Sequence, residues 1–264
     1  MNSCRARLAS SVAVLVVVGG LLTSCGDDPS EPSATASTST ATASTDDLPS
    51  EAELEDYFAA VASYDPDRLE RALASTEPGS VAASYAGYLQ ALAQAYVDSG
   101  RPVPGATIER AEGGGFTACG GTGRADDCVV WSDFEGRDGK LVDFTIDDQD
   151  LATRIRTGAA TSVPAGSLGD VEIAHAYQSV QSNDLFVVVE VTGEQDVTIR
   201  SGRATYAVAG SGVAASRYVG PTGTAATGTA TIVIVFPQVA LGGVVTLELV
   251  GPDQLSESVE LATS

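Results

Sequence analysis

The chain has 264 residues, 44% of them hydrophobic, with 35 acidic against 14 basic side chains and a net charge of −21. Its length is enough for two small domains. So acidic a surface is repelled by nucleic acid and by anionic lipid headgroups, which excludes nucleic-acid binding.

Arg5 and Arg7 precede an apolar run from Val12 to Leu22, which is shorter than the roughly 18 residues that span a bilayer. The run ends in Leu22-Thr23-Ser24-Cys25, which resembles a bacterial lipobox. The resemblance implies a signal peptide over 1–24 and a diacylglyceryl thioether on Cys25. The mature protein would then sit at the cell membrane, lipid-anchored on the extracytoplasmic side, and its acyl chains would hold it stably. An uncleaved signal anchor is the alternative. Removing 1–24 takes away two arginines and no acid, so the remainder is more acidic still. Residues 25–47 are rich in Ser, Thr, Ala and Pro. Such a segment cannot bury enough surface to offset its chain entropy and reads as a disordered tether; its Ser/Thr density suits O-glycosylation as well as a plain spacer.

A helical region follows. Ser50 and Glu53 have capping-box spacing, with Leu54, Phe58 and Val61 on one face. Asp65-Pro66 is an N-cap followed by proline at the first helical position, and Leu69 and Leu73 continue that helix. A third helix begins near Ser80, carries Val81, Tyr85, Tyr88, Leu89, Leu92 and Tyr96 at helical spacing, and stops at Gly100 and Pro102. The period then becomes two. Strands are expected over 106–112, 115–119, 128–135 and 140–147, the last two as a hairpin through Gly136-Arg137-Asp138-Gly139. In the last of these, Val142, Phe144 and Ile146 are expected on one face, with Leu141, Asp143, Thr145 and Asp147 on the other.

Asp65-Pro66-Asp67-Arg68-Leu69, and the strand from Gly139 to Asp147 with its Gly-Lys-Leu start, resemble the nuclear transport factor 2-like (cystatin-like α+β) superfamily over about 48–157. The resemblance implies helices closed over a curved sheet as a cone with a pocket, and a homodimer through the sheet. Candidate lining residues are Tyr57, Tyr85, Tyr88, Trp131, Asp133 and Asp143. From 158 to 264 the chain turns to Gly, Ala, Thr and Val, with short strands expected over 170–180, 185–192, 196–199, 203–209, 213–219, 229–236, 244–250 and 256–261. That spacing argues for an antiparallel sandwich and resembles the immunoglobulin-like domains of bacterial lipoproteins. The expected fold is an α+β nuclear transport factor 2-like cone followed by an all-β antiparallel immunoglobulin-like sandwich.

Cys119 and Cys128 are an even pair in an oxidising compartment, spaced to close a glycine-rich loop. They read as a structural disulfide, with a metal or redox pair as the alternative. His175, the single histidine, shares an expected strand face with Val171, Ile173 and Tyr177. That favours a core or half-buried role over a general base. One histidine and a disulfide leave too few ligands for zinc. The acidic clusters Asp126-Asp127 and Asp147-Asp148-Gln149-Asp150 lack the EF-hand pattern and read as solvated turns rather than calcium sites. No cofactor is expected. The resulting reading is a non-enzymatic binding module for a protein or cell-wall partner. The alternative is a carrier or sensor of a small apolar ligand in the cone. The third reading is an enzyme using Asp143 or Asp133 as base, as a dry pocket would permit.

Overall fold

The computed structural model describes residues 47–120, 128–158 and 161–263. The signal, Cys25, most of the tether and the Asp126-Asp127 cluster lie outside the described residues.

Three helices begin where their capping residues stand. Before α1 (Glu51–Ser63), Ser50 Oγ accepts from the Glu53 amide while Glu53 Oε2 accepts from the Ser50 amide at 2.8 Å, closing the capping box. Before α2 (Pro66–Leu73), Asp65 Oδ1 accepts from the amides of Asp67 and Arg68. Before α3 (Val81–Asp98), Ser80 Oγ accepts from the Ala83 amide at 3.1 Å. Gly100, at φ +64°, turns the chain out of α3 so that the Arg101 amide donates back to Tyr96 O.

The first sheet is antiparallel in chain order: β1 (Ile108–Arg110), β2 (Phe116–Cys119), β3 (Cys128–Arg137), β4 (Lys140–Ile146) and β5 (Gln149–Asp150). Asp138-Gly139 and Asp147-Asp148 take positive φ at both positions, as two-residue hairpin turns require. Two irregularities break the expected alternation. Asp133 and Phe134 together oppose Phe144, and Val142 is left without a partner between the Glu135–Asp143 and Gly136–Leu141 pairs. Leu141 is therefore buried along with Phe144 and Ile146, while Val142 is only partly buried.

The remaining strands are β6 (Ile155–Thr157), β7 (Val163–Pro164), β8 (Gly169–Gln178), β9 (Leu185–Gly193), β10 (Val197–Ile199), β11 (Thr205–Val208), β12 (Ser211–Ala214), β13 (Arg217–Val219), β14 (Gly223–Thr224), β15 (Thr229–Phe236), β16 (Val244–Val250) and β17 (Ser256–Ala262). They form two antiparallel sheets of six. One runs β13-β15-β9-β8-β6, with β7 also on β8; the other runs β12-β11-β16-β10-β14, with β17 also on β16. The expected single strand over 213–219 is two, because the chain leaves one sheet at Ala214 and enters the other at Arg217. The inner faces share one apolar core, in which Val187, Val189, Ile232 and Ile234 meet Tyr206, Val245, Leu247 and Leu249.

The structure corrects the expected fold class. The described residues are mostly β, with three short helices and three antiparallel sheets, and among them no nuclear transport factor 2-like cone followed by an immunoglobulin-like sandwich is present. Two physical reasons stand out. The space a cone would leave open is filled: Phe58, fully buried, contacts Phe116 at 5.3 Å, Trp131 at 5.3 Å, Phe134 at 5.1 Å and Phe144 at 5.1 Å between ring centroids. In addition, α3 packs on β4 on one side and on β8, β9 and β15 on the other. Its apolar and small residues run around most of its circumference, as a helix buried on two sides needs. The resulting core is continuous across residue 157, so Tyr88 and Leu89 share it with Tyr177, Val188 and Val233.

Candidate functional site

The outer face of β8, β9 and β15 carries Tyr177, Phe186, Val188 and Val233, and α3 covers it. One irregularity decides which side chains reach that face. Ile173 pairs with Val189 and His175 with Val188, so Ala174 is an extra residue in β8. Beyond this bulge the alternation reverses. Val171 and Ile173 point into the sandwich core, whereas His175 and Tyr177 point out towards α3. The expectation that His175 shares a face with Val171 and Ile173 is thereby corrected.

Two recesses result. The first is a cavity of about 240 Å³ where the end of α1, one face of α3 and strands β8, β9 and β13 meet. Its walls are aromatic. Tyr88 lies 4.9 Å from Tyr177 and 6.2 Å from Phe186, and Tyr85 lies 5.5 Å from Tyr177, between centroids. Tyr64 ends α1 in the left-handed conformation, φ +51°, an uncommon choice for a bulky residue, and its ring lines the same cavity with Tyr96. Tyr177 Oη accepts from the Val180 amide. The hydroxyls of Tyr64, Tyr85, Tyr88 and Tyr96 make no hydrogen bond to other described residues, and none is sealed from accessible space. Burial raises the pKa of Tyr85 and Tyr88 well above the ordinary phenol value, and of Tyr64 and Tyr177 to about 12; mutual repulsion of the phenolates adds to this. All four stay neutral and can donate a hydrogen bond throughout the physiological range. Among the described residues Arg217 is the one charged residue lining the cavity, its guanidinium 5.5 Å above the Phe186 ring.

The second recess, about 480 Å³, lies further towards the start of α3 and holds His175, Glu190, Ser84, Gln90, Thr157 and Thr231. Thr157 Oγ1 donates to Ser84 Oγ at 2.9 Å, tying β6 to α3. His175 Nδ1 is buried without a hydrogen-bond partner, and desolvation pushes the imidazole pKa down to about 4. Glu190 faces Glu172 across the β8–β9 pair; desolvation first, then Glu172, raises its carboxyl.

Of the residues singled out from the sequence, the structure brings Tyr85 and Tyr88 into the first cavity. Tyr57 is buried, its hydroxyl donating to Ala82 O at 2.8 Å. Trp131 lies under Phe58 with its Nε1 buried and unpartnered. Asp133 is exposed at the bulge and accepts from Thr145 Oγ1. Asp143 is half-buried, with its carboxyl raised by desolvation. Neither aspartate lines the aromatic cavity. The sequence reading missed Tyr64, Tyr177, Phe186 and Arg217, which come from parts of the chain read as a separate domain or as a helix end; alternating Phe186 and Val188 on an otherwise apolar strand was the one available signal. Cys119 and Cys128, directly opposite in β2 and β3, form a disulfide. Among the described residues no cluster of three or more His, Cys, Asp or Glu side chains is arranged to hold a metal, and no helix is long and apolar enough to cross a membrane.

No family model matches the chain, nor does any curated protein or any solved structure.

Proposed function

We propose that this chain is a non-enzymatic binding lipoprotein of the cell envelope, held through lipid on Cys25, whose tyrosine cavity takes a small molecule. The observation that carries this reading is the set of phenol hydroxyls of Tyr64, Tyr85, Tyr88 and Tyr96, which face accessible space with no partner among the described residues. Four phenols that line one cavity and spend no hydroxyl donor on the protein suit a ligand's acceptors. Native mass spectrometry of the full chain, taken gently from its own envelope, tests this. A discrete added mass lost on denaturation, and reduced in Tyr88→Phe, supports the reading; a bare mass in both proteins removes it. For the anchor, Cys25→Ala is expected to move the protein from the membrane to the soluble fraction; retention in the membrane would count against lipidation there.

A protein or cell-wall partner is the second reading. It rests on an open cleft of about 880 Å³ past the C-terminal end of α3, where Asp98, Arg101, Asp196, Arg200 and Tyr218 stand around the short edge strand β14. Crosslinking in intact cells from an Arg200 position, with no adduct above background, would remove it.

A further inference from the structure

We propose that the tyrosine cavity selects a planar aromatic carboxylate of a single ring, whose charge is met by Arg217 at the cavity wall. The inference rests on the small-molecule reading above and names the chemistry of its ligand.

Size sets the first limit. At about 240 Å³ the cavity is below the roughly 300–1,000 Å³ of sites for drug-sized ligands, so it has room for one substituted ring and not for a lipid chain or a sterol. Shape sets the second. Tyr85, Tyr88, Tyr177 and Phe186 present ring faces and edges at 4.9–6.4 Å from one another, the spacing at which aromatic rings pack favourably, and a further flat ring extends that cluster.

Charge sets the third. The chain holds 35 acidic side chains against 14 basic ones, yet among the described residues no carboxylate lines this cavity and the one charge that does is a guanidinium. Arg217 forms no ion pair with a described residue. Arg154, whose charge acts on Tyr177, is by contrast engaged by Ser179 O, Asn183 and Gln149. The Arg217 guanidinium carbon lies 5.5 Å over the Phe186 ring, and its fork of N–H donors matches a carboxylate in bidentate fashion. The phenols supply further donors to the same anion and no negative charge, since burial keeps them protonated.

The test is calorimetric titration of the full chain with benzoate and with benzyl alcohol, its uncharged counterpart of the same ring size. Benzoate is expected to bind about tenfold more tightly. Arg217→Gln is expected to erase that preference while leaving benzyl alcohol binding unchanged, and Arg217→Lys, which keeps the charge, to retain part of it. Equal binding of the two probes, unaltered by Arg217→Gln, overturns the carboxylate assignment and leaves the small-molecule reading standing. No binding of either probe overturns the carboxylate assignment; if native mass spectrometry also shows a bare chain, the small-molecule reading falls with it. Thermal melts of the arginine variants, expected to match the parent, show that any loss comes from the site and not from the fold.

Discussion

A Cβ placed on Gly87 would stand 3.0 Å from Nε2 of His175 and 3.1 Å from its Cε1. Gly87 lies in the middle of α3, where glycine costs about 1 kcal/mol against alanine, and the imidazole occupies the room a larger side chain would take. Both residues line the second recess, Gly87 from α3 and His175 from the bulged strand β8.

Gly87→Ala is therefore expected to lose about 1 kcal/mol of stability, the helix gain being outweighed by overpacking of about 1–3 kcal/mol. In a His175→Ala background the same substitution should become neutral or stabilising. Urea denaturation of the four proteins of this cycle reads the coupling directly; additive effects would show that the two residues do not press on one another.

Protonation of His175 gives a defined pH dependence. Its pKa is lowered from 6.5 to about 4 by desolvation in the folded chain. Between these values the unfolded chain binds the proton and the folded one does not, so stability is lost as pH falls through this window and the loss is complete below pH 4. The size is on the order of 3 kcal/mol. Glu190 and Asp143, with raised carboxyl pKa values, act in the opposite sense. Comparing the parent with His175→Gln isolates the histidine: the parent's stability relative to the variant should fall between pH 7 and pH 4, and parallel curves would refute it.

Tyr206 is fully buried at the rim of the sandwich core. Its hydroxyl donates to Ala240 O at 2.8 Å and accepts from the Gly243 amide at 2.7 Å, with Thr263 Oγ1 at 3.0 Å. Tyr206→Phe removes one oxygen from three partners and should cost about 1–3 kcal/mol. The denaturation midpoint is expected to drop without a change of slope.

The disulfide joins β2 to β3 across a sequence separation of 9. Replacing both Cys119 and Cys128 by alanine should lower stability by roughly 2–3 kcal/mol, chiefly by freeing the unfolded chain. Chemical denaturation of the double variant checks this, and an unchanged midpoint would show that the β2–β3 pairing holds the loop unaided.

Several elements were legible in the chain because their causes are local. Ser50, Asp65 and Ser80 mark helix starts through bonds to amides two or three residues on. Thr229–Phe236 and Val244–Val250 have the expected bounds, since an apolar run closed by turn residues defines a buried strand. Cys119 and Cys128 pair as their spacing suggests. The cone was read from helix-then-strand order, which specifies neither how far apart the layers stand nor what fills them; Phe58 and its four aromatic neighbours close that space.

What the sequence by itself determined is therefore the local part: helix starts, strand runs, the disulfide and the acidic balance, each governed by interactions within a few residues or by composition alone. Only the tertiary structure decided the site. One extra residue, Ala174, reverses the alternation of β8 and sends His175 and Tyr177 outward. The second side of α3 is covered by strands that begin some sixty or more residues further on, and the cavity forms where Tyr64, Tyr85 and Tyr88 meet Tyr177, Phe186 and Arg217. A bulge is a property of pairing between two strands, and a shared layer is a property of packing between sheets; neither leaves a periodic trace in one dimension.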